Sequence, residues 1–415
     1  MIKEYTAFIK HSWPILVFGM MTVFMGNFGQ SFFVSWFGNS FQEGLGLSAT
    51  SYGSAYSMAT LASGLLLMWI GGRVDDVPLE KFIIFCTIGL CAAALTLWQS
   101  NSLPMLIIGL FLLRFFGQGL FPHTAITTMM KTFSLNRGKS LSVATSGVPL
   151  GEIILPSIAV FLIVQLGWQQ SWLVIALSVP LLYLPLALYL IKRSKDEKYN
   201  EHNLSQSNHI DKSVKADGSR RTLLSDYRFW LALPTVLSAP FIVTGVFIHQ
   251  GFFLPQMGWT PILFASCFVF YGVAHWFASV NAGAMVDRFS GVQLLKFYPI
   301  PMFVALLLAS QLSGDWIAYA LLILLGITIG SGSPIINALW AEVYGTKHIG
   351  KIRALTASLT VISTSISPIL FGYLIDHGIS GSQLFFWLAM YVLVAILATL
   401  FSYSYASNSY ESNNK

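Results

Sequence analysis

The sequence predicts an all-α integral membrane protein with twelve transmembrane helices arranged as two six-helix repeats. Three observations carry that expectation. The 415 residues are 55% hydrophobic and only 10% charged, with a mean hydropathy of +0.68. The apolar residues come in twelve long runs, and the basic residues collect on one side of those runs. A soluble domain carries about a quarter charged residues and would expose far too much apolar surface at this composition.

A helix needs about 20 apolar residues to cross about 30 Å of hydrocarbon. The runs that qualify are 13–37, 49–70, 81–99, 104–131, 139–166, 170–192, 229–254, 261–286, 291–312, 316–341, 351–375 and 382–406. A membrane barrel would instead show short alternating segments of about ten residues. No cleavable leader is expected at the N-terminus, because the first run is too long for one. Cys86, Cys91 and Cys267 lie in apolar runs without metal-type spacing and read as small buried hydrophobes.

Orientation follows from charge. With the N-terminus inside, all but one of the 23 Lys and Arg fall in predicted cytoplasmic segments, and the exception, Arg114, lies within a span. The positive-inside rule predicts that bias, and a missed span would invert it. Both termini are therefore expected in the cytoplasm. The net charge of +6 is explained by topology and implies no nucleic-acid partner.

The expected organisation is an N-terminal bundle over 1–192, a cytoplasmic linker over 193–228 rich in Lys, Asp, Ser and Asn, and a C-terminal bundle over 229–415. The halves are related by a constant offset of 212. It carries Gly71 onto Gly283, Asp75 onto Asp287, Pro122 onto Pro334, Lys139 onto Lys351 and Pro156 onto Pro368. Six spans repeated in one orientation form a parallel repeat, the arrangement in which substrate binds between halves near the midplane.

These features resemble the major facilitator superfamily over nearly the whole chain. Its loop signature, G-x-x-x-D-[RK]-x-G-[RK]-[RK], is matched well by Gly283-Ala-Met-Val-Asp287-Arg288-Phe-Ser-Gly291. The first copy, Gly71-Gly-Arg-Val-Asp75-Asp76-Val-Pro78, departs, with an acid where the base belongs. By resemblance, Gly71, Asp75, Gly283, Asp287 and Arg288 form cytoplasmic gating motifs. Glu342, followed by Lys347, Lys351 and Arg353, is expected to join a charge cluster there. Arg114-Phe-Phe-Gly117-Gln118-Gly119 is similar to the family's span-four pattern, and parts of the chain resemble its bacterial monocarboxylate and oxalate/formate branches.

Ionisable groups at lipid depth are costly and usually functional. Arg114 can clamp a substrate carboxylate through its forked donors or pair with Glu152 on the next span. Glu152 is the candidate proton carrier. Asn27, Gln30, Gln118, His123 and His249 are candidates to line a polar cavity or to bond between helices; His123 and His275 are weaker relay candidates.

The expected function is secondary active transport of a small solute by alternating access, read first as proton-coupled carriage of a small organic anion such as a monocarboxylate. The nearest rival is a multidrug or metabolite exporter working by proton antiport. An integral-membrane enzyme or a non-transporting sensor fits less well: no HExxH or nucleophile–base pattern is present, and the linker is short for an output domain. There is no GxxxxGK[ST] for ATP. The expected partners are the solute, lipids and protons, with no cofactor or metal, in a monomer of the bacterial inner membrane.

Overall fold

The computed structural model describes residues 2–71, 76–133, 136–201, 224–345 and 349–403, with side chains described except at 2–7, 196–201 and 351. Among the described residues the chain is helical, without strands. Its long helices are α1 (Ile2–Gly26), α2 (Ala49–Ile70), α3 (Leu79–Trp98), α4 (Leu103–Thr132), α5 (Arg137–Lys195), α6 (Tyr227–Ile248), α7 (Pro261–Phe289), α8 (Ile300–Gln311), α9 (Asp315–Tyr344), α10 (Ile349–Asp376) and α11 (Gly381–Leu400). Ten of these are long and apolar enough to cross a membrane; α8 is shorter.

The difference from twelve has a local cause. The 59-residue run of α5 would span about 90 Å if straight, three bilayer cores. It turns instead at Gly167, where φ is 79° and ψ is 162°, a backbone conformation that side-chain-bearing residues avoid. Two predicted spans, 139–166 and 170–192, are thus one helical run with a corner. The segment 291–312 begins with the short helix Gly291–Leu294 before α8. Counting α5 as two arms and including α8 accounts for all twelve predicted segments.

The first span of each sequence half is interrupted. After α1 the chain passes through a 3-10 turn at Asn27–Gly29 and short helical turns to Phe37. After α6 it breaks at His249 before the helix Gln250–Met257. Side chains such as Val164, Leu182, Ile262, Phe277 and Val394 are each more than 60% exposed, the lipid-facing surface expected of a span.

Two compact units divide the chain. The first holds Met1–Val34, Met58–Gly151 and Phe161–Val214; the second holds Ser35–Ser57, Glu152–Val160 and Lys215–Lys415. In the first, Phe18, Phe121 and Tyr183 are fully buried, and the Tyr183 hydroxyl meets Thr22 Oγ1 at 2.8 Å. Cys86 is buried, and the Cys91 thiol donates to the Ala176 carbonyl at 3.3 Å. In the second, Phe229, Leu233, Val292, Leu295, Leu339 and Trp340 form a core. The Tyr298 hydroxyl donates to the Thr235 carbonyl at 2.7 Å and ties α6 into it.

Candidate functional site

Arg114, Gln118 and His123 all lie on α4. The stretch Leu113–Leu120 is π-helical, and the Phe121 N–H bonds back to the Phe116 carbonyl, five residues earlier. The sequence gives a reason. Pro122 has no N–H to offer the Gln118 carbonyl, so the regular α ladder cannot run through this point. Wide turns of this kind recur at functional sites.

Arg114 is 4% exposed, and its Nη1 donates to the Gly29 carbonyl at 3.0 Å. The backbones meet closely there: a Cβ on Gly117 would lie 2.8 Å from the Gly29 nitrogen. Asn27 Nδ2 donates to the Gly147 carbonyl at 2.8 Å. His123 Nε2 donates to the Gly71 carbonyl at 2.8 Å, joining a candidate relay to the first residue of the loop motif. Gln30 and Gln118 are half-buried. In the first unit, therefore, Arg114, Asn27 and His123 each bond a backbone carbonyl of another element.

Glu152 belongs to the second unit, and its partner there is His275 of α7, at 2.7 Å between Oε2 and Nδ1. The side chains are 4% and 15% exposed. One proton lies between them. A second proton, on Nε2, makes the pair neutral overall; without it, the pair carries one buried negative charge. His275 is held from behind by α9, because Gly330 leaves room for the His275 carbonyl where any Cβ would collide. On sequence Glu152 stands as a proton carrier and His275 as a separate, weaker relay candidate; the pairing makes them one group. The two are 123 residues apart, so no spacing rule could join them.

His249 is buried, and Nε2 donates to the Pro368 carbonyl at 2.8 Å, an interhelical bond. Nearby, Asp376 at the end of α10 accepts from the Ala49 and Thr50 N–H groups at 3.1 and 2.8 Å. Ser48 accepts from the Ser51 N–H at 3.2 Å. Three of the four orphan donors at the start of α2 are thereby satisfied. Asp376 was not among the sequence candidates; it stood at the end of a span, where an acid looks like loop.

Of the gating motifs, Asp75 lies outside the described residues. Gly283, Asp287 and Arg288 are exposed on the last turns of α7, and among the described residues Asp287 and Arg288 make no ion pair with each other. Glu342 caps Gly291–Leu294, its carboxylate accepting from the Gly291 and Val292 N–H groups at 2.8 and 3.2 Å. Lys347 and the Lys351 side chain lie outside the described residues. Arg353 lines a cavity of about 510 Å³ within the second unit, together with Thr328, Ser333, Asn337, Thr356 and Thr360.

A family model, the Major Facilitator Superfamily, matches residues 16–368 of the chain. The chain belongs to this superfamily. It is a multi-pass membrane protein with the superfamily's all-α fold, and a secondary transporter of small molecules. Its fold is similar to the crystal structure of a bacterial homologue of the human lysosomal transporter Spinster, in an inward-facing and occupied conformation. The TM-score is 0.66 at 12% identity, over 93% of each chain. No curated protein sequence matches the chain significantly.

Proposed function

We propose that this transporter couples protons to the passage of a small organic anion such as a monocarboxylate. The observation that carries the reading is the Glu152–His275 pair. A buried carboxylate bonded to an imidazole exchanges one unit of charge when a proton enters or leaves. That unit balances the single charge of a monoanion, so a proton and an anion can move together without net charge crossing the lipid, where charge is most expensive.

Arg114 supplies the anion contact in this scheme. One of its acceptors, the Gly29 carbonyl, is neutral. A substrate carboxylate forms charge-assisted forked bonds about twice as strong and can take its place. Gln118, Gln30, Asn27 and His123, of the same unit, are assigned to its polar surroundings. Alternating access is assigned to the sequence halves 1–192 and 229–415, joined by 193–228, with Asp75, Asp287 and Arg288 as cytoplasmic gating residues. The one-sided distribution of basic residues supports cytoplasmic termini; the membrane is read as a bacterial inner membrane and the working unit as a monomer.

The test is transport of labelled monocarboxylates in proteoliposomes with and without an imposed pH gradient. Glu152→Gln is expected to abolish pH-driven accumulation while anion exchange continues. Accumulation by Glu152→Gln at the wild-type level would refute proton coupling through this pair.

A further inference from the structure

The 510 Å³ cavity of the second unit has a lining with two distinct characters. Ser333 and Asn337 lie four residues apart on α9, and Arg353, Thr356 and Thr360 lie three and four apart on α10, so each helix turns a polar face to the same space; Thr328 of α9 also lines it. Between these faces the wall is apolar, made by Val236, Pro240, Ile336 and Val361. The volume is that of a small-molecule site.

The hydrogen bonds of the lining decide what it can recognise. Thr328, Thr356 and Thr360 donate their hydroxyl protons to carbonyls of their own helices. Asn337 Nδ2 donates to Ser333 Oγ at 3.3 Å. The threonines therefore turn acceptors outward, while the Ser333 hydroxyl and the second Asn337 N–H remain as neutral donors. The strong donor is the Arg353 guanidinium, the sole charged side chain of the lining, which pairs with no carboxylate among the described residues. One fixed positive charge, neutral hydroxyl and amide groups and an apolar wall suit one negative charge on an apolar body. A second carboxylate would meet no second positive charge in the lining, only neutral groups and hydrocarbon, at a desolvation cost.

We infer that this cavity is a second substrate-binding station, selective for monoanionic carboxylates with an apolar body, with Arg353 as the residue that sets the charge preference. The inference rests on the organic-anion reading above and adds a station distinct from Arg114.

The probes are 2-naphthoate, its neutral amide 2-naphthamide, and the dianion 2,6-naphthalenedicarboxylate, with binding measured calorimetrically on purified full-length protein in detergent, in an Arg114→Gln background that removes the other anion contact. This background is expected to bind naphthoate at least tenfold more tightly than the amide and also more tightly than the dianion. Adding Arg353→Gln is expected to bring the naphthoate-to-amide ratio to about one, and adding Arg353→Lys to restore part of it. Adding Ala357→Trp, which fills the cavity, is expected to lose both probes. An undiminished ratio in Arg353→Gln, or undiminished binding in Ala357→Trp, overturns the assignment. Carboxylate counterflow in proteoliposomes separates this inference from the transport reading. Arg353-dependent binding without counterflow upholds the site and defeats the transport reading. Counterflow with binding indifferent to Arg353 does the reverse. An absence of both binding and counterflow in wild type overturns both.

Discussion

The contact of Asp376 with the start of α2 yields a prediction whose size follows from its geometry. Asp376→Asn keeps the shape of the side chain but removes its charge and one of its two carboxylate oxygens. Hydrogen bonds to a charged group contribute about 1.5–3 kcal/mol, against about 0.5–1.5 for neutral ones. A negative charge at a helix N-terminus adds about 0.3–1 kcal/mol. Asp376 is exposed, so solvent screens both effects and the lower values apply. The expected cost is about 1–1.5 kcal/mol, which is about five- to tenfold in the local opening equilibrium. Hydrogen exchange reads this directly, because the donors are the amides of Ala49 and Thr50. Their exchange should accelerate about five- to tenfold in Asp376→Asn. The Ser51 amide, bonded to Ser48, should change less. Ala49 and Thr50 amides that exchange at the wild-type rate would refute the argument that this carboxylate holds the end of α2.

Two further expectations concern the second unit. Gly330→Ala pushes a methyl group into the His275 carbonyl and should displace α7 from α9; an overpacked contact costs about 1–3 kcal/mol, visible as a lower melting temperature together with weakened pH-driven accumulation. Asp226, just before α6, is partly desolvated, which raises its pKa, but bonds from Arg228 and Tyr344 outweigh that effect and hold the carboxyl below its usual range. A depressed carboxyl contributes stability above its unfolded value, about 3.9, and loses it as pH falls through the folded value. Asp226→Asn should therefore melt below wild type at neutral pH, and the gap should close under acid conditions; a gap that persists there would contradict the linkage.

The membrane fold was legible because spans are long and charge marks their ends. The count of twelve segments needed no contact information, only hydropathy and the single-sided distribution of Lys and Arg. Legibility failed where the cause lies across the fold. The corner at Gly167 hides inside a run whose hydropathy never drops. Glu152 was found on sequence as a buried acid, yet its partner was not, because His275 comes near only through the packing of α7. Asp376 and Arg353 sit at the two ends of α10, where charged residues usually mean loop, and only their neighbours distinguish a helix-end contact or a cavity wall from a solvated surface. From sequence, Asn27, His123 and His249 suit cavity lining and interhelical bonding equally; in the fold each bonds a carbonyl of another element.

The wide turn at Leu113–Leu120 carries a consequence for how α4 is wound. A π turn stores about one residue more than an α turn, and each residue in an α-helix rotates the chain by about 100°. The segments Leu103–Leu112 and Phe121–Thr132 are accordingly phased as though one residue between them were missing. Arg114 and Gln118 occupy that surplus. The faces of α4 on either side can each keep their own packing register while these two polar side chains take directions that an unbroken helix would not give them.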